Sequence, residues 1–421
     1  MKIFKFGGAS ANSVERIKAL KDIVKLYPND QMVIIISAMG KTTNGLEKVV
    51  DAFFEGRKDD ALKLFEIIKQ QHLKVAKYLL IKYYNNCYLQ LKDFFTEIEW
   101  LLHDKPVRNY DYYYDQIVCV GELLSTCIIS HFLNQEGINN LWVDVRDLLR
   151  TDNNFRDAVI DWEYSTEKIE KVVLKNTNKI IITQGFIGST GDNESSTLGR
   201  EGSDYTAAVF ANILNAESVT IWKDVEGVMN ADPKIFPEAE LIEALSFTEV
   251  IEMSFYGAQV IHPKTIKPLQ NKNIPLLVKS FVNPQLTGTI IHQKSKKNLP
   301  PIIVIKKDQV LLHLSTHDFS FIGEEPMSFL YQLFAKVKIK PNLIQTGAVS
   351  LQLCLDNHAS KIESFAQEAS SFFEVQIEKE LSLLTIRHYS KDSIEKLSAG
   401  KTVILQQKTP DTIQMIYRTT E

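Results

Sequence analysis

Cysteine is scarce in this chain of 421 residues, with four copies at Cys87, Cys119, Cys127 and Cys354. Their spacing lacks the paired pattern that a zinc site or a disulfide framework requires, and three lie in apolar surroundings, so buried reduced thiols are expected and no metal site is assigned. No uncharged apolar run reaches the roughly 18 residues of a membrane span. The opening Lys2-Ile3-Phe4-Lys5-Phe6 alternates like a strand and has neither the unbroken apolar region nor the small-residue cleavage site of a signal peptide. The cytoplasm is therefore the expected location. An excess of one charge is missing too: 48 Lys+Arg against 52 Asp+Glu leaves −4, which argues against a nucleic-acid-coating protein.

What is present is apolar sequence enough for large cores, 44% of the residues, in a chain longer than one core usually grows; two or three domains are expected. Short β-branched runs, Met32-Val33-Ile34-Ile35-Ile36, Ile180 to Thr183, Ser218 to Trp222 and Ile274 to Val278, alternate with helical patterns. Continuous apolar strands belong to a sheet covered on both faces, an α/β domain. From Leu46 to Asp104 the pattern becomes long amphipathic helices, with Leu62, Phe65, Ile68, Leu79 and Tyr83 at helical spacing but no sustained heptads, the mark of a packed helical insertion. A basic, proline-ended stretch at 293–301 reads as a linker between a first domain at 1–292 and a region at 302–421. There, short strands at Gln309 to Leu314, Leu343 to Gln345, Val349 to Leu353, Leu381 to Ile386, Thr402 to Leu405 and Thr412 to Ile416, with helices near Met327 to Lys336 and Ser360 to Ser371, predict two small α+β units in succession. Leu311 to Leu314 and Leu383 to Ile386 hold comparable positions in them.

Several loops carry candidate chemistry. Lys5-Phe6-Gly7-Gly8 ends the first strand ahead of a helix start with Asn12 or Ser13 as cap. Two glycines let an anion approach backbone N–H groups, and Lys5 is placed to reach the same anion. Ser37-Ala38-Met39-Gly40-Lys41-Thr42 ends like a P-loop but has Ile35 where the first glycine belongs, so a P-loop NTPase is rejected; Ser37, Thr43 and Asn44 remain as hydrogen-bonding groups or as a polar turn. Glu122, acidic within apolar sequence, either caps a helix or binds a cationic group such as an ammonium. Thr197-Leu198-Gly199-Arg200-Glu201-Gly202-Ser203-Asp204 packs a guanidinium, a hydroxyl and a carboxylate into a glycine-flexed loop: arginine suits a carboxylate, and an aspartate at a helix start can hold lysine ammoniums or approach a metal. The charged turn Trp222 to Lys234 follows a strand, where loops often carry ligand contacts.

With these motifs, together with Thr183 to Gly188 and Phe255 to Pro263, in this order, the chain resembles the aspartate kinases of the amino-acid kinase superfamily across residues 1 to 292. The resemblance implies a three-layer, carbamate-kinase-like α/β domain with a helical insertion, followed by tandem ACT-like regulatory domains. It implies phosphorylation of the L-aspartate β-carboxylate by ATP with Mg²⁺, toward lysine, threonine and methionine. Lys5, Gly8 and Asp204 would be catalytic, with Lys5 on the transferring phosphoryl group and Asp204 organising cations. Ser37, Thr43, Glu122, Arg200 and Ser203 would hold aspartate, Arg200 on its α-carboxylate and Glu122 facing its amino group. Lys5, Gly7, Gly8, Lys223, Asp224, Met229 and Lys234 would line the nucleotide site.

The pattern departs at Glu201, where the family usually has glycine, and at Gln259, where many members have a lysine that Lys264 or Lys234 could replace. In the ACT-like region Met327 to Leu330 and Asn342 to Gly347 fall at effector-loop segments, Asn342 replaces a usual aspartate, and the second unit is shortened. A homodimer through that region and an amino-acid effector, lysine or threonine, are the implied partners; nucleic acid and membrane are not. The competing readings are a kinase of the same superfamily acting on glutamate, N-acetylglutamate or a nucleoside monophosphate, and a catalytically silent amino-acid sensor.

Overall fold

Residues 1–176, 179–294, 298–318 and 320–419 are described in the computed structural model. The first half of the chain runs β1 (Lys2–Phe6), α1 (Val14–Lys25), β2 (Met32–Ile36), α2 (Thr42–Phe54), α3 (Lys58–Leu79), α4 (Tyr84–His103), α5 (Tyr110–Val118), α6 (Val120–Gln135), β3 (Asn140–Trp142), α7 (Trp162–Lys175) and β4 (Ile180–Gln184). It continues with β5 (Ile187–Ser189), β6 (Ser195–Thr197), α8 (Gly202–Ile213), β7 (Ser218–Lys223), β8 (Ala244–Ser246), α9 (Phe247–Phe255), α10 (Pro263–Asn271), β9 (Leu276–Ser280) and β10 (Thr289–His292).

The apolar runs form an eight-stranded sheet in the order β3-β4-β2-β1-β7-β9-β10-β8. All neighbours are parallel except β9 and β10. Parallel strands need both faces covered, and alternate residues show how this is met. Phe4, Phe6, Ile34, Ile36, Ile182 and Trp222 join one core with α1 to α6. The intervening Ile3, Val33, Ile35, Val219 and Ile221 are as fully buried, on the side where α8 packs on β1, β2 and β7 and α10 packs on α8. The expected three-layer architecture is therefore present, and its helical insertion is α2 to α4. The segment Tyr110–Gln135, α5 joined to α6, is long and apolar enough to cross a membrane, with an 18-residue stretch of mean hydropathy 1.6, but 89% of that stretch is buried within the protein.

By packing, the chain divides into two units, the second of which also takes two short segments from before the expected linker at 293–301. One unit takes Met1–Val228, Leu241–Ile251 and the chain from Val260 to the linker; the other takes Met229–Glu240, Glu252–Gln259 and everything beyond. Within the latter, Phe236 joins the core of Leu384, Ile386 and Ile413, and Arg387 Nη1 donates to Glu252 Oε2 at 3.1 Å, which explains that membership. Of the expected linker, residues 295–297 lie outside the described residues.

The second unit contains β11 (Ile302–Thr316), α11 (Glu324–Val337), β12 (Leu343–Thr346), β13 (Ser350–Asp356), α12 (Ala359–Ala369), β14 (Phe373–Arg387), α13 (Lys391–Ser398), β15 (Lys401–Lys408) and β16 (Thr412–Thr419). The expected two α+β pieces are there, but not in succession. One antiparallel six-stranded sheet, β12-β13-β11-β14-β16-β15, serves both. Its two middle strands are each 15 residues long and pair through a register shift between Lys306 and Leu311. Positive φ at Asp308 (54°) and Glu380 (62°) marks that bend, as bulges do. Residues 302–306 thus supply the edge strand of the second piece before the first piece begins. Leu311 to Leu314 and Leu383 to Ile386 occupy equivalent strands of the two pieces. The first piece has α11 and α12 over its core; among the described residues the second has only α13.

Candidate active site

Ser37 follows β2, Lys5 lies near the end of β1 and Lys223 ends β7, so three neighbouring parallel strands deliver polar side chains to one sheet edge. Ligands of open α/β sheets sit beyond such carboxyl ends. The cavity there, about 520 Å³, is also lined by Thr43, Glu122, Arg156, Arg200, Ser203 and Asp204. Thr43, Glu122 and Ser203 with Asp204 lie in the first turns of α2, α6 and α8 respectively. The N-terminal turns of α2 and α8 therefore border one space, and helix N-termini favour anions.

At its centre Lys5 Nζ stands 2.7 Å from Asp204 Oδ1, with the two side chains only 12% and 4% exposed. Asp204 reaches Lys5 because α8 starts hard against the end of β4: a Cβ on Gly185 would lie 2.6 Å from Ser203 Cβ. Ser37 Oγ donates to Ser203 Oγ at 3.0 Å, joining the two expected substrate hydroxyls.

Gly7 and Gly8 are explained differently from each other. A Cβ on Gly8 would stand 2.7 Å from Ala38 O, and Gly40 N–H donates to Gly8 O at 2.9 Å. Glycine is needed at 8 to seat the loop after β1 on the loop after β2. Gly7 meets only Lys5 Nζ, at 3.5 Å, so its backbone is open toward that ammonium. The helix expected immediately after this loop is preceded by a short 3-10 turn, Gly8–Ala11. The cap of α1 is Ser13, which accepts from Arg16 N–H at 3.2 Å.

Glu122 shows features of both alternatives left by the sequence. It lies in the first turn of α6, Oε1 accepts from Ala38 N–H at 3.2 Å, and Oε2 is buried with no partner. Burial, offset only in part by these N–H groups and by Lys5, pushes its carboxyl up to about 8. A buried carboxyl in this state favours its neutral form until a partner arrives. Arg200 is exposed and makes no ion pair among the described residues.

Glu201 sits at φ 53°, a conformation that favours glycine, which accounts for the glycine usual in the family. Its carboxylate Oε2 accepts from His262 N–H at 2.8 Å, and His262 caps α10, so the negative charge is engaged at a helix N-terminus. Lys264 is committed as well: its ammonium contacts Asp157 Oδ1 at 2.7 Å and Leu198 O at 3.0 Å. On the expected nucleotide side, Lys223 Nζ donates to Val260 O at 2.7 Å and Asp224 Oδ1 accepts from Arg16 at 2.5 Å. Met229, Lys234 and Gln259 belong to the second unit and are not among the residues brought together here.

Two residues escaped the sequence reading. Arg156, at φ 70°, lines the cavity with its guanidinium 4.4 Å from the Tyr114 ring and 3.0 Å from Asp111. Asp115, fully buried, accepts from Thr197 Oγ1 at 2.6 Å, Thr197 N–H at 2.7 Å and Arg156 N–H at 3.0 Å. It fixes the wall that carries Arg156, and burial raises its carboxyl to about 6. Only the tyrosine-rich Tyr110-Asp111-Tyr112-Tyr113-Tyr114 run, a surface on which an arginine can stack, hinted at this.

Comparison with known proteins agrees with this geometry. The family model described as "Amino acid kinase family" matches residues 1–280. Lysine-sensitive aspartokinase 3 of Escherichia coli (strain K12) is 30% identical over 95% of this chain and 89% of its own length. The chloroplastic aspartokinase 1 of Arabidopsis thaliana is 31% identical over 84% of this chain, which spans 63% of that protein. The solved structure of E. coli aspartokinase III in complex with aspartate and ADP superimposes with a TM-score of 0.83 at 26% identity, covering 99% of this chain and 96% of that one.

Proposed function

Since the chain belongs to the amino acid kinase family and within it to the aspartokinases, we propose that the cavity at the ends of β1, β2 and β7 is where the L-aspartate β-carboxylate attacks the γ-phosphorus of ATP, yielding 4-phospho-L-aspartate and ADP. One observation carries the assignment of acceptor: the buried, unpartnered Glu122 Oε2 shares a cavity with the free Arg200 guanidinium, so one wall suits an α-ammonium and another an α-carboxylate. A free amino acid satisfies both; an N-acetylated one would leave Glu122 without its cation. ATP is the phosphoryl donor.

The acceptor needs no base, because a carboxylate of pKa about 3.9 is ionised at neutral pH. The difficulty is bringing two anions together. Positioning and charge neutralisation supply the catalysis in phosphoryl transfer. Lys5, held straight by Asp204, meets the transferring group, and the loop at Gly7 together with the first turns of α2 and α8 offers N–H donors. Ser37, Thr43 and Ser203 orient the acceptor, with Arg156 a second cation on its wall. Lys223, with Asp224 next to it in sequence, belongs to the proposed nucleotide wall. Mg²⁺ would be held by Asp204 and the nucleotide's own phosphates, since such ions take one or two carboxylates plus phosphate oxygens rather than a protein cage; when bound it neutralises charge on those phosphates.

Lysine is the proposed effector, in keeping with the name of the E. coli relative, and the six-stranded unit is its proposed site. Asn342 there is saturated internally: it accepts from Lys306 Nζ at 2.7 Å and donates to Gln309 Oε1 at 2.7 Å and Asp356 Oδ1 at 2.9 Å. An effector would therefore have to displace Lys306 or bind elsewhere on the unit. A homodimer through this unit is part of the reading, supported by the exposed rings of Phe321 (80%) and Tyr331 (58%). We keep the cytoplasm as the proposed location, because the apolar α5–α6 segment is spent on the protein's own core.

Release of ADP with aspartate and with glutamate as acceptor tests the reading; aspartate is expected to dominate, and equal rates would refute it. In the same assay Lys5→Ala should lower kcat by roughly 100-fold or more with little change in KM, and near-normal turnover would remove Lys5 from the mechanism. Below pH 8 the empty protein holds Glu122 protonated, so binding the ammonium at pH 6 to 8 must expel a proton. Aspartate affinity should rise about 10-fold per pH unit up to about pH 8 and then level, and Glu122→Gln should abolish that slope. Titration of activity with lysine should show inhibition; a flat response discards lysine as effector.

A further inference from the structure

Helices α4 and α6 bring together three side chains that the phosphoryl-transfer site does not use. Cys87 and Cys127 are fully buried, and their sulfurs lie 3.9 Å apart. A ring nitrogen of His131 lies within 4.8 Å of both. Cys127 and His131 are four residues apart on α6 and so share a helical face, while Cys87 meets them from α4.

The imidazole is already oriented. His131 Nε2 is 3.2 Å from Gln90 Oε1, an acceptor that would hold the proton on Nε2 and leave Nδ1 as the ligating atom. Metal-bound histidines are commonly held this way by an outer partner. The sulfur spacing needs no adjustment: a tetrahedral ion about 2.3 Å from each thiolate sets the two sulfurs about 3.8 Å apart. A disulfide, at about 2.05 Å, would instead require the helices to close by almost the full difference. Two adjacent buried thiolates need a cation to offset their charge.

We propose that Cys87, Cys127 and His131 form a binding site for a thiophilic d¹⁰ cation, zinc(II) or copper(I), that staples α4 of the helical insertion to α6, the helix whose first turn presents Glu122. Binding breaks two S–H bonds, forms two metal–sulfur bonds and one metal–nitrogen bond, and releases two protons. Two thiolates neutralise zinc(II) but leave copper(I) with a net negative charge in a buried place, so zinc is the favoured occupant, with a small exogenous donor completing its tetrahedron.

The full-length protein, reduced and stripped of metal, is to be titrated with Zn²⁺ against a chromogenic chelator, and separately with Cu⁺ without oxygen. One equivalent of zinc per chain is expected, with affinity rising about 100-fold per pH unit below the thiol pKa values as two protons leave, and with thiolate-to-metal charge-transfer bands when Co²⁺ is substituted. Cys127→Ser and His131→Gln should each lose stoichiometric binding, while Cys354→Ser, which removes a thiol of the other unit, should retain it. His131 is half-buried, so its variant carries the test should Cys127→Ser fail to fold. Copper(I) bound through the same residues would uphold the site and change its metal. Absence of stoichiometric binding of either ion, binding that survives both variants, or a Cys87–Cys127 disulfide in the protein as isolated would each overturn the proposal.

Discussion

Lys5 and Asp204 are withdrawn from water together at the end of β1, 2.7 Å apart, and the remaining geometry of the site follows from keeping them so. A buried ion pair regains its desolvation cost only when both members are held in good geometry. Lys5 is held by a strand paired on both sides, to β2 and β7. Asp204 is held by the first turn of α8, which can approach the sheet only because Gly185 has no side chain to meet Ser203. The same approach sets Ser203 against Ser37 and leaves Arg200 at the mouth of the cavity. An ammonium fixed in this way is ready for charge that develops during phosphoryl transfer, with no reorganisation at the moment of reaction.

Opposite this pair, Glu122 stands in the reverse condition. It is buried, half-satisfied and held in the protonated form by its surroundings. Such a group costs stability in the absence of ligand, and the cost is recovered when a cation arrives. Selectivity for an amino acid over a simple carboxylate can rest on that difference. The long hydrophobic helix pair α5–α6 is what makes it possible, since it carries Glu122 and Asp115 into the core and anchors the insertion. The proposed metal site lies on the same α6, two turns further along.

Legibility varied with the range of the interaction involved. The sheet strands, the insertion and the loops bearing Lys5, Glu122, Arg200, Ser203 and Asp204 could be read because each is a local pattern: a β-branched run, an amphipathic period, a charge or glycine beside a helix start. Arg156 and Asp115 could not, because their roles arise from contacts across 41 and 82 positions of sequence. Cys127 and His131 did offer a local signal, an i, i+4 pair, but the third member lies 40 residues away. The succession of two α+β units was misjudged for a related reason. A strand that serves two pieces of one sheet looks like an ordinary strand until its partners are known.

Residue order alone determined the class of fold, the polar loops at strand ends and the charges they carry, since hydrophobic period and helix capping act within a few residues. It also determined that Glu201 departs from glycine, though not the consequence. Only the tertiary structure decided that Glu201 turns its carboxylate to the N-terminus of α10, that loop packing leaves no room for a side chain at Gly8, and that Glu122 keeps one oxygen without a partner. Those outcomes depend on desolvation and on distances between segments far apart in the chain, and neither exists until the sheet has closed its neighbours around them.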